Sequence, residues 1–202
     1  VSWKVAGEEQ LLAPLAPNFW RAPTDNDRGN GMAERHAAWR QAAERRVVEG
    51  VSAKRELDGT WRVQVSLAYP DAGATTGALT YIFSNSGHIR VAFKLAPKGD
   101  GLASLPRIGM TTQLPIGYDR VTWLGRGPEE SYADRKASAF FGKYTLHASA
   151  FFFPYVEPQE TGNRTETFWV TLTDATGKGV KVTGDPKINF SILPYMMGEL
   201  ET

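Results

Sequence analysis

Strict alternation of apolar and polar residues over positions 61–95 constrains this chain more than any other feature. Trp61, Val63, Val65 and Leu67 alternate with Arg62, Gln64 and Ser66, and Ile89, Val91, Phe93 and Leu95 alternate with His88, Arg90, Ala92 and Lys94. Successive side chains of an extended backbone point to opposite sides. A period of two therefore gives a strand with one face in a core and one in water. Leu79, Tyr81 and Phe83 repeat the pattern between these two runs. Asn85-Ser86-Gly87 supplies a tight hairpin after Phe83, and Asp58-Gly59 joins an expected strand at 47–57 to the one at 61–69. These segments form an antiparallel meander.

Further strands are predicted at 107–114, 120–124, 167–174, 179–183 and 188–193, with Asp174–Gly179 as a glycine-rich hairpin connection. The N-terminal Val1-Ser-Trp-Lys-Val5 also reads as a strand. One helix is predicted near 33–45, where His36, Trp39 and Ala43 share a stripe opposite Arg35, Gln41 and Glu44. Between 125 and 166 the periodicity fades and Pro, Gly and aromatic residues dominate; a loop region of that length is usually functional or covered by a partner. No internal repeat or low-complexity linker is visible. Many short strands with turn signals predict an all-β antiparallel sandwich, and 202 residues fit one such domain over 1–202.

Composition removes several classes of function. A net charge of +1 provides no field for nucleic acid or an anionic membrane surface, and no stretch approaches the 18 apolar residues of a membrane span. The absence of cysteine excludes a disulfide scaffold, a thiol nucleophile and a cysteine metal site. His36, His88 and His147 lie far apart, with no metal-ligand spacing.

Three motifs carry the chemistry. Asn18–Asp27 combines the rings of Phe19 and Trp20, the turn-forming Pro23, and Arg21, Asp25 and Asp27 as charged groups. It reads as a loop facing substrate or a neighbouring domain, or as an Asx-turn leading into the 33–45 helix with Asp27 or Asn30 as its cap. Trp123–Arg135 places Gly125, Gly127 and Pro128 before the charges Glu129, Glu130, Asp134 and Arg135. Retaining glycosidases need two carboxylates about 5–5.5 Å apart, but adjacent glutamates point different ways. Pairing of one of them with Arg126 or Arg135 is the better reading. Pro154–Arg164 offers Tyr155 as a platform for a sugar face and Glu157, Gln159, Glu160, Asn163 and Arg164 as directional hydrogen-bonding groups. The alternative is a buried polar network that holds an irregular loop together. Phe151-Phe152-Phe153, just before it, predicts burial against another domain. No residue of the chain is assigned a catalytic role.

In this order the three motifs resemble the C-terminal, small-chain domain of the β-galactosidases of glycoside hydrolase family 2. The resemblance runs from about Pro14 to about Ile192 and is thinnest through the strands between residues 47 and 114. It departs at Glu157, where the family usually carries an apolar residue. The resemblance implies a specific sandwich, the two-sheet supersandwich shared with galactose mutarotase, here truncated at its C-terminus. It implies a parent enzyme that hydrolyses terminal non-reducing β-D-galactose residues with retention, through two glutamates in an upstream barrel domain of the same polypeptide. Magnesium and sodium are possible cofactors of that full-length enzyme, with none held in this chain, and the cytoplasm is the expected compartment of the parent. A tryptophan that meets the sugar in the family would lie past Thr202. This domain would shape the active-site cleft and support assembly, with a homo-oligomer left open, and would not catalyse by itself. Two rivals remain: a free-standing mutarotase-like aldose isomerase or epimerase using His147 with Glu157 or Glu160, and a lectin-like carbohydrate-binding sandwich.

Overall fold

A computed structural model describes residues 3–5 and 7–201. The strands in chain order are β1 (Lys4–Val5), β2 (Glu8–Glu9), β3 (Ala13–Asn18), β4 (Val47–Arg55), β5 (Trp61–Tyr69), β6 (Thr75–Phe83), β7 (Ile89–Ala96), β8 (Gly109–Gln113), β9 (Arg120–Gly127), β10 (Phe140–His147), β11 (Arg164–Thr173) and β12 (Gly179–Phe190). Three short helices, α1 (Asp25–Gly29), α2 (Met32–Arg35) and α3 (Ala37–Glu44), lie between β3 and β4. The chain is all-β and built on antiparallel sheets, as its periodicity predicts. Val1 and Ser2, at the head of the expected first strand, lie outside the described residues.

Two compact units divide the chain. One takes Leu15–Arg21 and Asp27–Thr111; the other takes the segment up to Pro14, Ala22–Asn26 and everything from Thr112 onward.

The first of these units contains the meander, a four-stranded sheet in the order β4-β5-β6-β7. Its alternating residues do what a period of two demands. Leu67, Leu79 and Tyr81 are buried on one face, with Val63, Val65, Val91, Phe93 and Leu95 packed beside them against Phe19, Trp39 and Tyr69. The turns work as expected: Asp58 Oδ1 accepts from the amide and hydroxyl of Thr60 at 3.0 and 2.7 Å, while Gly59 takes φ 85°. The helix expected at 33–45 is split at His36 into α2 and α3. The His36 ring Nδ1 lies 2.8 Å from the Ser104 carbonyl oxygen. Trp39, Ala42 and Ala43 form the buried stripe of α3. The expected cap differs too: Gly31 occupies that position without a side-chain bond, and Asn30 accepts from Arg35 at 2.8 Å instead.

The other unit carries a four-stranded sheet in the order β10-β9-β11-β12. Strand β10 lies inside the segment expected to be loop. Tyr144 and Leu146 do alternate there with the exposed Lys143, Thr145 and His147, but Phe140, Phe141 and Gly142 at its start hide the period. The two strands expected at 179–183 and 188–193 are one strand, β12, whose register against β11 shifts twice between Arg164 and Trp169. Pro186 sits in β12 between Thr183 and Ile188, where the register against β11 shifts and no partner is paired with it; on an edge strand such a break is tolerated. The core centres on Trp123, whose ring centroid lies 5.4 Å from those of Tyr144 and Phe151 and 5.9 Å from that of Phe190.

Candidate functional site

Sheet order decides where the second and third motifs meet. Strands β9 and β11 are antiparallel neighbours, with Thr173 opposite Arg120 and Trp169 opposite Leu124. The end of β9 and the start of β11 therefore share one edge of the sheet. The loop that leaves β9 at Pro128 and the loop that enters β11 at Arg164 are held side by side there.

Glu130 joins them. Its carboxylate accepts the amide hydrogen of Gly162 at 2.9 Å, the hydroxyl of Tyr155, an N–H of Arg135 at 2.5 Å, and longer bonds from Tyr132 at 3.3 Å and Thr161 at 3.4 Å. Burial alone pushes its pKa up. The hydrogen bonds from Tyr155 and Gly162 and the Arg135 charge outweigh that and hold the group below the ordinary carboxylate value. Ser131, fully buried, completes the seam. Its amide donates to the Asn163 carbonyl at 2.8 Å, its own carbonyl accepts from the Asn163 side chain at 2.6 Å, and its hydroxyl accepts the Thr165 amide at 3.0 Å.

The residues singled out in Pro154–Arg164 fall into two groups. Glu160, Asn163 and Arg164 are buried. The Arg164 guanidinium lies 4.5 Å over the Phe151 ring and 5.6 Å from that of Trp123, and it donates to the Gly162 carbonyl at 3.1 Å. Burial lowers its pKa. Glu157 is exposed, Gln159 is half-buried with its amide 3.4 Å from the Glu157 carbonyl, and the half-buried Tyr155 is tied by its hydroxyl to Glu130 and Arg135. The three consecutive phenylalanines are likewise divided: Phe151 belongs to the unit's own core, Phe152 meets the ring of Tyr195, and Phe153 is 52% exposed.

In the first motif, Trp20 is buried with the Arg40 guanidinium 5.7 Å from its ring. Arg21 pairs with Asp27 through both of its terminal nitrogens, one bond measuring 2.9 Å, while Asp25 is exposed at the start of α1. His147, the acid/base candidate of the isomerase reading, engages Ser149 at 2.8 Å and Asp119 at 3.2 Å. Among the described residues no three His, Asp or Glu side chains converge to hold a metal ion, and no helix is long and apolar enough to cross a membrane.

Sequence reasoning missed Ser131, Thr161, Thr165 and Glu166. Glu166 accepts from Arg126 at 2.5 Å and from Lys136 at 2.8 Å, and these two bonds depress its pKa to about 2. Little in the sequence marks these residues, because each bonds to a group 30 or more positions away, although Thr161 also accepts the Phe153 amide at 3.0 Å.

The surface beside Glu130 is concave. Glu129, Glu130, Arg135, Ser138, Phe153 and Tyr155 line a cavity of about 230 Å³. It combines two aromatic rings, tilted at 54° with centroids 4.7 Å apart, with a carboxylate, a guanidinium and a hydroxyl. Its best-partnered carboxylate, Glu130, is held below the ordinary carboxylate value, the direction opposite to that of a general acid.

Comparison with known sequences matches residues 1–202 to the family described as Beta galactosidase small chain. Curated relatives include a β-galactosidase of Priestia megaterium, 37% identical over the whole chain, one of Lactobacillus delbrueckii subsp. bulgaricus at 34%, and one of Halalkalibacterium halodurans at 32%. The chain covers 19% of the first of these proteins and 20% of each of the other two, so it spans about a fifth of their length.

Proposed function

Because this chain belongs to the β-galactosidase small-chain family, we propose that it is part of an enzyme hydrolysing terminal non-reducing β-D-galactose residues. In that enzyme it shapes one wall of the active-site cleft and braces the assembly without supplying a catalytic group. The chemistry proposed for the whole enzyme is the retaining route, in which one glutamate attacks the sugar and a second acts as acid and then base. Both lie in an upstream barrel of the same polypeptide. Magnesium and sodium, where used, are held by residues outside this chain. A homo-oligomer in the cytoplasm is proposed on the family resemblance alone.

The observation that carries this reading is the state of Glu130. A glycosidase acid needs a carboxyl whose pKa is raised, so that it is protonated when the leaving group departs. Glu130 is the carboxylate of the concave surface with the most donors around it, and they drive its pKa the other way. It serves as a clamp. The consequence is a rigid pair of loops, with Tyr155 and Phe153 at the surface, suited to form a wall rather than a reaction centre. The test is turnover of a chromogenic β-galactoside by the purified 202-residue chain, freed of host enzyme. No turnover above buffer is expected; sustained turnover that copurifies with the chain would overturn the assignment.

A further inference from the structure

We propose that the cavity between Glu129 and Tyr155 is a non-catalytic binding site for a neutral pyranose sugar. The argument rests on which groups there are already committed. Glu130 is fully engaged, and it fixes Tyr155 through its hydroxyl and Arg135 through one nitrogen. Arg135 is further held 5.2 Å over the Tyr132 ring. The ring of Tyr155 and the fork of Arg135 are thus positioned before any ligand arrives, which reduces the ordering cost of binding.

Other groups of the same cavity remain open. Among the described residues, Glu129 and Ser138 accept or donate no hydrogen bond, and the Nε and Nη1 of Arg135 donate none. Phe153 stands 52% exposed beside them. A carboxylate and a guanidinium fork with free capacity match vicinal hydroxyls, which both donate and accept. An exposed aromatic face matches the C–H face of a pyranose ring.

Charge selects a neutral ligand. Arg135 pairs with Glu130, and Arg126 and Lys136 share Glu166 outside the cavity's lining. The lining itself sets the carboxylates of Glu129 and Glu130 against the one guanidinium of Arg135, which disfavours a phosphate or a carboxylate. A second cavity of about 580 Å³, lined by Arg126 and residues 134–138, shares Arg135 and Ser138 with the first. The site therefore has room for a second ring and takes a glycoside as well as a monosaccharide. This inference stands apart from the hydrolase reading, since binding is measured where no turnover is expected.

The experiment is a titration of the 202-residue chain with methyl β-D-galactoside and, separately, methyl β-D-glucoside, followed by amide chemical shifts. Saturable shifts confined to residues 129–138 and 153–155 are expected, with a dissociation constant of about 1–10 mM for at least one of the two sugars. Phe153→Ala and Glu129→Gln, both at exposed positions and so compatible with folding, should each weaken binding by about 10-fold. Phe153→Tyr should retain it. The proposal is overturned if neither sugar gives saturable shifts, if the shifts map elsewhere, or if choline competes as well as the sugars do. It is equally overturned if Phe153→Ala binds like the parent chain.

Discussion

Replacing Glu130 by glutamine would test whether this carboxylate knits the two loops together. The side chain keeps its shape but loses its charge and one acceptor oxygen. Tyr155, Tyr132 and Thr161 approach it with hydroxyls, which can turn round and accept from the new amide. Gly162 and Arg135 approach with N–H groups, which cannot. The glutamine oxygen can replace one carboxylate oxygen only. Either the Gly162 amide or the Arg135 fork then faces an NH₂. Loss of one hydrogen bond to a charged group costs about 1.5–3 kcal/mol, so Glu130→Gln is expected to destabilise its unit by about 2–3 kcal/mol. For a chain of this size that lowers Tm by roughly 5–10 °C. The assay is urea unfolding, where the midpoint should fall at constant slope. It is paired with amide hydrogen exchange at Gly162 and Ser131, where protection should fall first. Tyr155→Phe made in the Glu130→Gln background should cost less than it does alone, with a coupling on the order of 1 kcal/mol. A stability change within about 0.5 kcal/mol, or strict additivity of the pair, would refute the idea that Glu130 organises the seam.

Two further expectations follow from the same unit. Glu166 has a folded pKa near 2 against an ordinary 4.5, and Glu130 is shifted in the same direction, so the unfolded chain binds protons that the folded chain refuses. The stabilisation is fully present above pH 4.5 and is lost as pH falls towards 2; Tm measured across this window should fall less steeply in Glu166→Gln. At Gly125, an added Cβ would lie 2.6 Å from the Thr167 hydroxyl and 2.8 Å from its Cα, where backbone cannot give way. Gly125→Ala should cost about 1–3 kcal/mol by urea midpoint, whereas Gly109→Ala, with nothing within 4 Å, should leave it unchanged.

The meander was legible from residues 61–95 because a period of two is a local property: each residue's face depends only on its neighbours in the strand. The same logic found β9 and β11. It failed at β10, where three successive residues without alternation mask a strand that is completed by pairing with β9. It also failed at His36, where a contact to Ser104, 68 positions away, helps to hold a break in what reads as one helix.

The sequence by itself determined the all-β class, the turns at Asp58 and Asp174, the three motifs and through them the family. The tertiary structure alone decided what the motif residues do. Arg164 and Asn163 look like surface groups in the sequence and are buried, while Glu130 and its neighbour Glu129 look alike and have opposite fates. The physical reason is distance along the chain. Glu130 meets Gly162 only because β9 and β11 are adjacent in the sheet, and strand order is set by the packing of the whole core around Trp123 rather than by any short run of residues.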